Sequence, residues 1–229
     1  GTQYNSTKKF SAARFIETTF KICEDGKMNK TIAKVGALIV TITVCLFAVC
    51  MLIPFDFGSY FVCLLLAIGY VLLASGFSFE SDVGHRTAAI AGIAFAIIYA
   101  VLIMLVYFTQ ITTVRLEALD EQAAQLLNYA QGGLMFNYDL LGYGMMALST
   151  FFLGLTIQGN TPADKWLKRL MMIHGAFFFG CLIMPMTGIF TSMASGETSI
   201  GGVIALEFWC AYFIPVGILS TIHFSKNAS

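Results

Sequence analysis

The sequence predicts an all-α, polytopic membrane protein: six transmembrane helices with both termini in the cytoplasm. Three observations predict it. Of 229 residues, 58% are hydrophobic and only 11% charged, whereas soluble domains carry about 25% charge. The mean hydropathy is +0.79. The apolar residues gather into six runs close to the roughly 20 residues that cross a bilayer, and none alternates as barrel strands do, so helix is the structure that satisfies the backbone in lipid. A soluble enzyme, a nucleic-acid binder and a disordered regulator are excluded on this composition, and zero formal net charge argues further against a nucleic-acid partner.

The spans are expected at about 35–54, 60–77, 87–108, 139–158, 170–190 and 201–222, forming one domain over 35–222. Ahead of them, residues 1–34 read as a basic cytoplasmic segment. Phe10, Ala13, Ile16, Phe20 and Cys23 recur there at helical spacing among lysines, as in an amphipathic helix resting on anionic lipid. Between spans three and four, an outer interfacial helix is expected over about 113–131. Leu116, Leu119, Ala123, Leu126, Leu127 and Ala130 form its apolar stripe, and Gly132-Gly133 stops it. Residues 223–229 form the tail.

Orientation comes from the basic residues. Twelve of the thirteen fall on one side: Lys8, Lys9, Arg14, Lys21, Lys27, Lys30, Lys34, Arg86, Lys165, Lys168, Arg169 and Lys226. Arg115 stands alone on the other side, among Asp56, Glu117, Asp120, Glu121, Asp139 and Glu197. The positive-inside rule then puts both termini in the cytoplasm of a plasma or inner membrane.

Candidate chemistry begins with Glu207, an acid well inside the sixth span. A carboxylate at that depth faces a cavity, finds a partner or takes up a proton. Asp139, Tyr143, Met146 and Thr150 share one helix face and draw a polar stripe down span four. Tyr60, Tyr107 and Gln110 end spans two and three, with Arg115 just beyond. Glu207, Asp139, Tyr143, Gln110 and Arg115 are the expected ligand-binding set, with the tyrosines also explicable as belt residues at the membrane interface.

Ala88, Gly92, Ala96 and Ala100 form a small-residue column suited to close helix packing, within the chain or against a partner subunit or second copy. Pro185 and Pro215 are expected to kink spans five and six. His174 and His223 lie on different spans, which allows a bis-histidine haem or a headgroup position. No metal site and no cofactor is expected, and no acidic pair at metal-ligand spacing, HExxH or Walker loop occurs. The six cysteines form no CxxC pair.

Three functions stay open on these residues. The chain binds and moves a small solute or ion through an outward-facing site centred on Glu207. Alternatively it is a non-catalytic subunit or assembly factor docking through the span-three column. A third reading is a membrane enzyme acting on a lipid or isoprenoid.

Overall fold

The computed structural model describes the backbone of residues 2–188 and 200–226, and side chains within 26–188 and 203–226. The side chains of the Lys8–Cys23 stripe, together with Glu197, lie outside the described residues. Among the described residues the structure is helical and contains no strand.

Eight helices occur in the order α1 (Thr2–Leu52), α2 (Asp56–Glu80), α3 (Arg86–Thr109), α4 (Glu121–Leu127), α5 (Leu134–Thr156), α6 (Pro162–His174), α7 (Phe177–Met186) and α8 (Ile200–Ser225). Six stretches are long and apolar enough to cross a membrane: Gly26–Leu52, Asp56–Glu80, Val83–Val114, Leu134–Thr156, Pro162–Met186 and Val203–Ser225. Ile42, Leu46, Val49, Ile97, Val101, Leu105, Phe179 and Phe208 are exposed on the outside of the bundle. Such a coat is stable in lipid and costly in water. The chain is a multi-pass helical membrane protein.

Several boundaries differ from the sequence expectation. Span five starts at Pro162 rather than near residue 170, because Thr161 accepts from the Asp164 N–H as an N-cap and proline suits the first helical position. It also breaks in the middle: Gly175 and Ala176 turn tightly between α6 and α7, their amides bonding three residues back at 3.2 and 3.0 Å. Span three runs on past Phe108 through a π-helical turn, Gln110–Val114. The outer helix is much shorter than expected. Its α-helical part is Glu121–Leu127, capped by Asp120 Oδ1 accepting from Ala123 N at 2.8 Å, with a 3-10 turn at Tyr129–Gln131. Leu116 and Leu126 are exposed there, so the stripe is only partly covered. At the other end, α1 is one unbroken helix through the expected boundary at residue 34.

The spans pack in chain order as a ring: α1 on α2, α2 on α3, α3 on α5, α5 on α6 and α7, α6 on α8, and α8 back on α1. Glycine permits the tightest joints. A Cβ on Gly36 of α1 would stand 2.8 Å from Gly69 O of α2, closer than side chains approach backbone. The expected column on α3 is used the same way. Gly92, Ala96 and Ala100 are buried, and Ser149 Oγ on α5 donates to Gly92 O at 2.7 Å. Gly92, Ala96 and Ala100 thus pack within the chain against α5.

Inside the ring the core is aromatic. Tyr70, Tyr99, Phe77, Phe213 and His174 are among the largest fully buried side chains. Tyr70 crosses from α2 to α5, donating to Met146 O at 3.4 Å.

Candidate functional site

Polar groups inside the ring fall at three levels. Along α5, eleven residues separate Asp139 from Thr150, about 16 Å at 1.5 Å per residue. Along α6, ten residues separate Asp164 from His174, about 15 Å. Thr150 and His174 touch, so the two distances add to about one hydrocarbon thickness. Asp139 stands near one mouth, His174 near the middle and Asp164 near the opposite mouth.

At the first level, Asp139 is 2% exposed. The Tyr129 hydroxyl donates to its Oδ2 at 3.3 Å, and Tyr107 bonds the same carboxylate. Its Oδ1 is buried and accepts no hydrogen bond. Tyr60, Tyr107 and Tyr129 form a triangle of rings beside it, with centroids 5.5, 6.0 and 6.0 Å apart. Below them the Tyr143 hydroxyl meets Cys63 Sγ at 3.8 Å. Burial pushes the pKa of Tyr129 up, so this phenol remains a donor.

Tyr129 is held over the carboxylate by Gln110. The Gln110 amide, 3% exposed, gives its Nε2 to Leu127 O at 2.9 Å, and its Oε1 accepts from Tyr129 N at 2.9 Å. The π-helical turn that begins at Gln110 ends the regular helix here. The segment carrying α4 and Tyr129 is thus a cover, pinned by one side chain through two backbone bonds.

At the middle level, Trp209 Nε1 donates to His174 Nε2 at 3.1 Å. An indole N–H can only donate, so that ring nitrogen carries the lone pair and Nδ1 carries the proton. Nδ1 donates to Thr150 Oγ1 at 2.7 Å, and the Thr150 hydroxyl in turn donates to Ala147 O at 2.9 Å. His174 is therefore neutral, and a second proton would have to break the Trp209 bond. Phe177 and Phe213 pack on its ring at 5.1 and 5.0 Å.

At the far level, Asp164 Oδ1 meets His223 Nδ1 at 2.8 Å, and Glu80 Oε2 meets His223 Nε2 at 2.9 Å. Carboxylates accept only, so both ring nitrogens donate and the ring is an imidazolium. Lys226 adds 3.2 Å to Asp164, and Lys30 adds 3.7 Å to Glu80. This network ties α1, α2, α6 and α8 together.

The structure brings Asp139, Tyr143 and Gln110 to one mouth and leaves two of the expected residues outside that cluster. Arg115 is exposed; its Nε donates to Ile111 O at 3.0 Å and its guanidinium lies 5.1 Å from the Phe57 ring. It pairs with neither acid. Glu207 is half-buried on α8 between the exposed Ile204 and Phe208, with Oε1 lacking a hydrogen-bond partner. None of the hydrogen bonds around Asp139 includes it.

Pro185 lies inside α7 and Pro215 inside α8, yet the break in span five comes at Gly175. His174 lies near the middle of the bundle, and all four ring nitrogens of His174 and His223 are hydrogen-bonded. Among the described residues no group of three or more His, Cys, Asp or Glu has metal-binding geometry.

Tyr129, Cys63, Trp209 and Asp164 were not singled out from sequence. Asp164 did carry a signal: Thr161-Pro162-Ala163-Asp164 is a helix-start pattern. No protein-family model, curated protein or solved structure matches this chain.

Proposed function

We propose that this membrane protein binds a small solute or ion inside its six-helix ring and carries it across the bilayer, with Asp139 as the binding group. The observation that supports the reading is Asp139 Oδ1, a buried carboxylate oxygen with no donor. Leaving such an acceptor empty costs about 1–3 kcal/mol, and more for a charged group. A site that binds something offsets that cost in its occupied state. The cover pinned by Gln110 is the gate at this mouth. The basic side of the chain faces the cytoplasm of a plasma or inner membrane, which puts the Asp139 mouth outside.

The test is thermal-shift screening of the purified full-length chain in lipid nanodiscs against alkali, ammonium and alkylammonium salts, carboxylates and sugars. Asp139→Asn is expected to abolish the ligand-induced shift while Glu207→Gln keeps it. The opposite pattern would move the centre to Glu207 and end the Asp139 reading.

A further inference from the structure

We infer that the Asp139 site takes a protonated alkylamine, a small organic ammonium with at least one N–H; this inference rests on the binding reading above and narrows it to a ligand class.

Three features of the mouth converge on that class. The first is charge: Asp139 is an acid for which no described Lys, Arg or His side chain provides an ion pair. Arg115, the one basic residue beyond this mouth, is turned away onto Phe57. Whatever neutralises the carboxylate comes from outside the chain. The second is hydrogen bonding. Oδ2 already accepts from Tyr129 while Oδ1 accepts from nothing, so the missing piece is a donor.

The third is the wall. Beside the carboxylate stand the rings of Tyr60, Tyr107 and Tyr129, with Phe136 against Tyr129 at 5.2 Å. Aromatic faces attract organic cations, an attraction that strengthens as water is excluded. A hard inorganic cation needs several oxygen ligands with little competition, and the two amide oxygens here already each accept a hydrogen bond. Gln110 Oε1 accepts from Tyr129 N, and Leu127 O accepts from Gln110 Nε2. A cation that wants one strong acceptor and a polarisable wall suits the site better than one that wants an oxygen cage.

The entry route follows from the same bonds. Releasing Gln110 from Leu127 O and Tyr129 N lifts Tyr129 off the carboxylate and opens the way to Oδ1. The ammonium then donates to Oδ1, its alkyl group lies against Tyr60 and Tyr107, and the cover closes behind it.

The experiment is equilibrium binding of radiolabelled methylammonium to the full-length chain in nanodiscs, with sodium, acetamide and tetramethylammonium as competitors. Methylammonium is expected to bind saturably, and Asp139→Asn to weaken it at least about tenfold, as a desolvated ion pair warrants. Acetamide, which has the N–H without the charge, should not compete. Tetramethylammonium, which has the charge without the N–H, should compete poorly. Tyr60→Leu, a milder change at a half-buried wall position, should weaken dimethylammonium more than ammonium.

Sodium binding that depends on Asp139, with no methylammonium binding, overturns the ammonium class and leaves the Asp139 site standing. Absence of any Asp139-dependent ligand, in variants shown to be folded by their unfolding temperature, overturns both. Equal binding by wild type and Asp139→Asn also overturns the inference.

Discussion

The two mouths of the ring each carry an aspartate near a helix start, and the contrast between them is instructive. Asp164 opens α6 and is surrounded by partners: Thr161 Oγ1 donates at 2.5 Å, His223 stands at 2.8 Å and Lys226 at 3.2 Å. Asp139, one turn into α5, has tyrosine hydroxyls on one side and an empty oxygen on the other. The first acid is used up in joining α6 to the end of α8. The second keeps unspent hydrogen-bonding capacity, in a place where that capacity destabilises the empty protein. Identical side chains at equivalent ends of a bundle therefore do different work, and what separates them is the inventory of donors around each.

The largest effect is expected from Asp164→Ala. It removes the acid shared by His223 and Lys226, and breaking such a partly buried pair costs about 3 kcal/mol. Thermal unfolding in detergent should show a clear fall in Tm, and an unchanged Tm would mean the network is decorative. Asp139→Asn should act oppositely, costing binding but little stability, because it removes an unsatisfied charge. A comparable drop in Tm would erase the contrast.

Next comes His174→Leu, which strands the Trp209 N–H in the core at about 1–3 kcal/mol, while the Thr150 hydroxyl keeps its bond to Ala147 O. Near-ultraviolet circular dichroism of Trp209, followed through unfolding, reads it. Smaller still is Gln110→Leu. It leaves Leu127 O and Tyr129 N without their partner, about 1 kcal/mol confined to the cover. Hydrogen exchange should quicken over residues 120–131 and stay unchanged in α5.

The smallest effect lies at Asp82, exposed in the turn between α2 and α3. Its hydrogen bond with His85 holds its carboxyl below the ordinary value, with Gln158 Nε2 adding a second bond. A depressed carboxylate contributes stability that is present above its unfolded pKa and lost as pH falls through the folded one. Asp82→Asn should thus flatten only the acid limb of Tm against pH.

The spans were legible because lipid imposes a length and an apolarity that few other structures share. The face joining Asp139, Tyr143, Met146 and Thr150 was legible too, since helical spacing alone aligns them, and all four are buried. Spacing along one helix does not say which helices become neighbours. That ring order turns Arg115 outward onto Phe57, keeps Glu207 on a flank of α8, and brings Trp209 to His174 across 35 positions of sequence. The tyrosines read as interfacial belt residues because position in the span was all the sequence offered. In the ring, Tyr107 is almost fully buried and Tyr129 comes from a segment expected to be plain amphipathic helix.

The joint between α1 and α8 has a consequence for how the molecule is made. Every other joint along the ring links spans adjacent in the chain, and such pairs can form while the remainder is still being synthesised. The α1–α8 joint, where a side chain on Gly217 would collide with Thr41, waits for the last helix. Until then α1 keeps an unfilled flank toward the lipid while the five spans before α8 are made. Substitutions that thicken Gly217 should accordingly leave each nascent hairpin intact and strand the finished chain as an open arc.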